Sequence, residues 1–83
     1  MFKTRPVNTR TLGEYLISLR DHLGISVAEI SKVAKIPPKY IADLEQGDYA
    51  KLPAVVYVKG FLKTLAKIYR VDEKNLLSLF DAE

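Results

Sequence analysis

Apolar residues recur along this chain at the three- and four-residue steps that give an α-helix one apolar face. The clearest run consists of four leucines, Leu12, Leu16, Leu19 and Leu23. Thr11, just before this run, is suited to capping the start of a helix. Gly24, just after it, suits the left-handed residue that commonly ends one. The pattern therefore predicts a first helix between Thr11 and Gly24.

A capping box predicts the second helix, because Ser26 is followed three residues later by Glu29. Its expected buried face consists of Val27, Ile30 and Ala34, with Ser31 as a small residue on the same side. The prolines at 37 and 38 end this helix and allow a third to begin near Pro38 and run to Gly47. Two short helices joined by a turn of about four residues are typical of a helix-turn-helix, although by composition alone the pair could be an ordinary αα-hairpin.

Two further helices are predicted after a loop at 48–52. Pro53 is expected to open the longest helix of the chain, which continues to about Tyr69. Asp72 is placed to cap a fifth helix, whose apolar residues are Leu76, Leu77 and Phe80. The sequence thus predicts an all-α fold of five helices with short connections.

Length and composition restrict the class of protein. A chain of 83 residues is expected to form one compact domain. It contains no cysteine, which excludes disulfides, thiolate metal sites and a cysteine nucleophile. The longest apolar run, 52–58, is far shorter than the ~20 residues that span a bilayer, and the N-terminus does not resemble a signal peptide. We therefore expect a cytoplasmic location.

Charge is distributed unevenly around a net value of +3. The first ten residues contain Lys3, Arg5 and Arg10 without an acid, include a proline and lack periodicity. We expect 1–10 to be a flexible basic arm and 11–83 to be the helix-turn-helix domain. The segment 51–70 also has only basic charges, whereas the tail from Val71 is acidic. A basic surface attracts either phosphate or an acidic protein face.

Three segments of the chain carry a resemblance to a known family: LGEYLISLRDHLGISVAEI, AKIPPKYIADLEQGDYAKLP and VYVKGFLKTLAKIYRVD. Over residues 12–80 the sequence resembles the five-helix DNA-binding fold of the lambda-repressor and Cro superfamily. It is more similar to the N-terminal cytoplasmic domain of the RodZ family of bacterial cell-shape proteins. Repressor relatives usually have a glycine in the turn where this chain has Lys35. The RodZ-like group is similar to the Lys35–Ile36 pair found here and to the Tyr57-x-x-Gly60-Phe61 motif.

The resemblance implies a protein partner on a fold that elsewhere binds DNA. RodZ domains bind the bacterial actin MreB, chiefly through the fourth helix and its aromatic residues, and the matching positions here are Tyr57 and Phe61. The family architecture continues into a basic linker, one transmembrane helix and a periplasmic domain. A full-length protein of this kind is expected to carry this domain on the cytoplasmic side of the inner membrane.

Sequence-specific reading of DNA is disfavoured by the residues of the third helix. Base edges are read by Arg, Lys, Gln, Asn, Ser or Thr side chains near the start of such a helix. The prolines and Ala42 offer no donor there, and Asp43 is expected to point a negative charge at the groove. Only Lys39 and the distant Gln46 qualify. The alternative function is therefore a Cro-like or repressor-like regulator. Its contacts with DNA phosphate would come from Lys35, Lys39, Arg5 and Arg10.

The fourth helix presents an apolar arc that covers half of its circumference, with Lys59, Lys63 and Lys67 as a stripe beside it. Tyr57 and Phe61 lie at the edge of that arc. Both rings could close the small core against the fifth helix, and the lysines could be an ordinary solvated face. Aromatic anchors beside lysines are also what a protein interface needs. We predict a partner-binding surface of Tyr57, Phe61, Lys59, Lys63 and Gly60, with Lys39 as a secondary candidate.

Gly60 is included because glycine inside a helix costs ~1 kcal/mol relative to alanine. Either the backbone of another chain or the 48–52 loop could require the space. No residues predict an enzyme: the lone His22 has no partner for acid–base or nucleophilic work. Neither a phosphate-binding glycine loop nor metal-ligand spacing is found in the sequence, so no cofactor and no metal are expected.

Overall fold

The computed structural model describes residues 11–83, and these fold into five α-helices and one 3₁₀ turn without a β-strand. The elements are α1 (Leu12–Leu23), α2 (Val27–Ala34), α3 (Pro38–Gln46), the 3₁₀ turn η1 (Tyr49–Lys51), α4 (Val55–Tyr69) and α5 (Glu73–Asp81). The predicted all-α, five-helix class is confirmed. The predicted arm, with Lys3, Arg5 and Arg10, lies outside the described residues.

The helix ends follow the sequence signals closely. Thr11 and Ser26 each form a reciprocal capping box with the glutamate three residues later, and Asp72 accepts a hydrogen bond from the Lys74 N–H at 2.9 Å. Gly24 and Gly47 adopt the left-handed conformation at the ends of α1 and α3. These contacts satisfy backbone groups that a helix end otherwise leaves unpaired.

One helix start differs from the prediction. Pro53 was expected to open the longest helix, but Ala54 has an extended backbone and α4 begins at Val55. No side chain caps this end. The segment 48–52, predicted to be a plain loop, contains η1, whose Tyr49 ring packs edge-on against Phe80 with centroids 5.4 Å apart.

A single hydrophobic core joins all five helices. α1 packs on α3, α2 on α3 and α4, and α5 on α4 and α1. Ile30 and Ala34 are buried as expected, and Val27 is half-buried. The core residues are Leu12, Leu16, Ile30, Ala34, Ile36, Ile41, Leu44, Val58, Leu62, Leu65, Ala66, Tyr69 and Leu76.

The leucine face of α1 is buried over only part of its length. Leu12 and Leu16 are fully buried and Leu19 packs against the core, but Leu23 is 49% exposed. Leu23 lies in the last turn, beyond the last leucine of α1 that packs against the core. The 3.6-residue period therefore identified the correct face but not where its burial ends.

Ser31, the small residue predicted on the buried side of α2, stabilises the turn between α2 and α3. Ser31 is buried, and its hydroxyl donates a 2.6 Å hydrogen bond to the Ile36 carbonyl. Lys35 ends α2 with a φ of 58°, a left-handed conformation that residues with a side chain rarely adopt. The pair α2–turn–α3 is the predicted helix-turn-helix.

Candidate partner-docking site on helix α4

The first turn of α4 projects beyond the core. The buried row of this helix begins only at Val58 and continues through Leu62, Leu65, Ala66 and Tyr69. Val55, Val56 and Tyr57 are 56%, 71% and 61% exposed, respectively. Soluble domains commonly expose large apolar side chains singly. Three consecutive exposed ones are therefore unusual.

The two aromatic residues of the predicted surface have different environments. Tyr57 is mostly exposed, so the alternative in which it closes the core is wrong. Phe61 is half-buried and packs against the core. Its ring stacks on Tyr40 of α3, with centroids 5.7 Å apart and planes inclined by 24°. Most of the Tyr57 side chain is thus accessible to a partner. Phe61 is accessible only where the core and Tyr40 leave its ring exposed.

The lysines of α4 have few acidic partners among the described residues. The helix contains no acidic residue. The Lys59 Nζ lies 4.0 Å from an Asp81 carboxylate oxygen, a long contact between two exposed groups. Lys63 and Lys67 are exposed and have no ion-pair partner within residues 11–83. The outer surface of α4 is therefore available to an acidic partner.

Gly60 has no packing role inside the domain. A Cβ atom built on it would meet no heavy atom within 4 Å among the described residues. The alternative in which the 48–52 loop needs this space is therefore wrong. The Thr64 hydroxyl donates a hydrogen bond to the Gly60 carbonyl at 3.2 Å.

Of the candidate DNA contacts, Lys35, Lys39 and Gln46 belong to the described residues, whereas Arg5 and Arg10 lie outside them. Lys39 donates to a carboxylate oxygen of Asp43 at 2.9 Å. Asp43 was expected to face a DNA groove, but it is buried and paired with this lysine, so that expectation is wrong. Lys35 is exposed at the end of α2, and Gln46 is exposed in the last position of α3. Seven residues of helix, about 10 Å, separate Gln46 from Lys39.

The ion pair between Arg20 of α1 and Glu45 of α3 has a structural role. Arg20 binds both carboxylate oxygens of Glu45, at 2.8 and 3.1 Å, and also donates to the Ile25 carbonyl at 3.0 Å. The hydrogen bond to Glu45 raises the pKa of Arg20 further above its usual value. Burial raises the pKa of Tyr69 to about 12, assisted by the nearby Glu45 charge. Glu45 thus joins α3 to α1.

Within residues 11–83, no cluster of three or more His, Cys, Asp or Glu side chains is arranged to hold a metal ion. None of the helices described is both long enough and apolar enough to cross a membrane.

Comparison with known proteins places the domain in a family. Residues 15–76 match the model of a helix-turn-helix domain family. The chain belongs to this family. It is also similar to the cytoskeleton protein RodZ of Streptococcus pneumoniae (strain ATCC BAA-255 / R6), with 30% identity over 73 residues. The predicted resemblance to RodZ-type domains is confirmed. The alignment covers 88% of this chain but 26% of that relative. No solved structure gives a significant match.

Sequence reasoning missed Val55, Val56 and Tyr40 as parts of the surface around α4. The two valines belong to the apolar run 52–58, and that run was the available signal. Successive residues of a helix are rotated by about 100°, so Val55, Val56 and Tyr57 cannot all face the core. The contact of Tyr40 with Phe61 had no local signal, because the two residues are far apart in the sequence.

Proposed function

We propose that this chain is the helix-turn-helix adaptor domain of a RodZ-like cell-shape protein and that it binds the actin-like protein MreB through α4. The exposed Tyr57, at the start of a helix with only basic charges, is the observation that carries the proposal. Exposed aromatic rings are common binding hot spots, and neighbouring lysines favour an acidic partner surface. The similarity to a cytoskeleton protein over most of the chain supports a partner of the cytoskeleton.

The contact surface in this proposal is centred on Tyr57, Gly60 and Phe61, with Lys59 and Lys63 beside them. Tyr57 contributes an accessible ring, and Phe61 holds its position through the stack on Tyr40. Lys39 has a minor role, because it already has a carboxylate partner within its own helix.

The remaining proposals follow from the same resemblance. The domain acts by binding and not as an enzyme, and it works in the cytoplasm. The full-length protein continues into a transmembrane helix that anchors the MreB-bound domain at the membrane. A gene sequence with an apolar segment of ~20 residues downstream of this domain would support the anchor.

DNA binding is the weaker alternative. The exposed start of α3 consists of Pro37 and Pro38, which cannot donate to base edges, and Lys39 is paired with Asp43. Residual attraction through Lys35 is a phosphate effect, and such binding weakens steeply with salt. A gel-shift series that retained sequence preference at ~200 mM salt would favour the regulator.

The direct test is co-sedimentation with polymerised MreB encoded by the same genome. Tyr57→Ala is expected to weaken binding by roughly 30-fold, the loss of about 2 kcal/mol at a hot spot. Circular dichroism of this variant should remain helical, because the ring is exposed. Leu23→Ala, which removes an exposed apolar side chain from α1, is the matched control and should bind normally.

Phe61→Ala separates the two roles of the second ring. It should lower the melting temperature through the lost stack on Tyr40 and also weaken binding. Unchanged sedimentation of Tyr57→Ala would contradict the proposed function.

A further inference from the structure

The outward face of α4 has an uncommon composition. Successive residues of an α-helix are rotated by about 100°. On that spacing, Gly60 lies almost directly opposite the centre of the buried row that runs from Val58 to Tyr69. The most outward position of the longest helix is therefore occupied by the one residue that has no side chain.

The residues on either side of Gly60 differ in chemistry. Val56, one turn earlier, is the most exposed large apolar residue described, and Tyr57 lies beside it. Lys63 and Lys67, one and two turns later, are exposed cations. The outer face thus has an apolar end, a flat centre and a basic end, over a helix length of roughly 16 Å.

The domain gains nothing internally from the glycine. Glycine in a helix interior is less favourable than alanine, and a Cβ at position 60 would meet open space among the described residues. Alanine at this position would therefore be preferred if only folding mattered. Close approach of an external chain to the backbone is a structural use for space that residues 11–83 leave open.

We propose that an element of an acidic protein partner crosses α4 directly over Gly60, in contact with the helix backbone. An apolar side chain of that element packs between Val56 and Tyr57, and its carboxylates meet Lys63 and Lys67. This inference rests on the proposed function. It adds the point at which the partner element crosses α4 and states which side of that element is apolar and which is acidic. It also makes Gly60 and Val56 determinants of specificity, in addition to the Tyr57 anchor.

A protein fits this face better than a polyanion does. A duplex or an anionic membrane surface is attracted by positive charge as such, and a smooth glycine centre gives it no advantage. The exposed Val56 would gain little from phosphate groups. The segregation of apolar and basic ends on one helix instead matches a partner with two chemically distinct sides.

The test is a size series at position 60 in the whole 83-residue chain, measured by co-sedimentation with polymerised MreB. Gly60→Ala should keep or raise the melting temperature and weaken binding severalfold. Gly60→Leu should remain folded and weaken binding at least tenfold, because a long side chain blocks the crossing. Ala28→Leu places the same side chain on an exposed position of α2 and should bind normally.

A charge reversal tests the polarity of the crossing. Lys63→Glu should weaken binding at least tenfold, whereas the same change at exposed Lys74 of α5 should have little effect. Val56→Ser should weaken binding without loss of helicity.

The outcomes separate the two proposals. If Tyr57→Ala weakens sedimentation while Gly60→Leu binds as the parent does, the crossing is overturned and the proposed function stands. If neither Tyr57→Ala nor Gly60→Leu weakens sedimentation, both the proposed function and the crossing are contradicted. If Gly60→Leu reduces capture by duplex DNA or phosphatidylglycerol vesicles but not by MreB, the face is a polyanion surface and the inference is also overturned.

Discussion

At the scale of single residues, two helical glycines have opposite roles. Gly13 in α1 is buried against α3, where a Cβ would overlap the Glu45 carbonyl and lie 3.1 Å from the Leu44 carbonyl oxygen. Gly60 in α4 faces open space. Gly13 lies in the first turn of α1 and Gly60 in the interior of α4, and the sequence around neither shows what another helix places beside it. The difference arises from what another helix places nearby.

Alanine substitution should reveal this contrast. Gly13→Ala is expected to destabilise the domain by about 3 kcal/mol, because backbone atoms of α3 must move away. Gly60→Ala should stabilise it by up to ~1 kcal/mol, the difference in helix propensity. Urea denaturation of both variants measures the two free energies of unfolding. A fall in stability for Gly60→Ala would show an internal contact at that position.

At the scale of elements, the helix ends follow local chemistry and could be predicted closely. The capping boxes at Thr11 and Ser26 and the left-handed glycines depend on residues within one turn of each other. Lys35 shows the limit of this reasoning. It adopts the left-handed conformation without being glycine, as Arg70 does at the end of α4, so the residue type gave no signal of it.

The capping box of α2 predicts an acid-sensitive helix. Hydrogen bonds with the Ser26 backbone N–H and, secondarily, with its side chain lower the pKa of Glu29 below its usual value. The ionised form is therefore favoured by folding. Its stabilising contribution is complete above the unfolded pKa of ~4.3 and is lost as the pH falls through the lower folded value.

Glu29→Gln should remove this part of the pH dependence while keeping the cap, because glutamine can also bond to the Ser26 N–H. The measurement is the melting temperature from pH 7 to pH 2.5 for both proteins. The parent should lose more stability over this range than the variant. Parallel curves would show that the ionisation of Glu29 is not coupled to folding.

At the scale of the whole molecule, contacts between distant residues set the arrangement of the helices. The Arg20–Glu45 pair joins α1 to α3. A Glu83 carboxylate accepts hydrogen bonds from the Leu12 N–H at 2.6 Å and from the Tyr49 hydroxyl at 2.8 Å. The segment after α5 is thereby tied to the start of α1 and to η1. Burial, with the Glu83 hydrogen bond and charge, raises the pKa of the Tyr49 hydroxyl well above its usual value.

Breaking the α1–α3 pair should cost much more than breaking a surface pair. Glu45→Gln leaves the largely buried Arg20 guanidinium without a counter-charge, and we expect a loss of about 2–3 kcal/mol. Asp48→Asn, which removes the partner of exposed Lys51, should change stability little. Chemical denaturation compares them directly. Equal effects would mean that the Arg20–Glu45 pair contributes no more than a surface contact.

The sequence by itself determined the helices, their ends and the apolar faces, because these depend on residues three or four positions apart. It also indicated α4 as the surface helix, from the lysine stripe and the motif that resembles RodZ. Tertiary structure alone decided that Tyr57 is exposed while Phe61 stacks on Tyr40, that Asp43 is buried, and that Gly13 and Gly60 differ. Exposure and close approach depend on where neighbouring helices end in space, and that is set by packing between residues far apart in the chain.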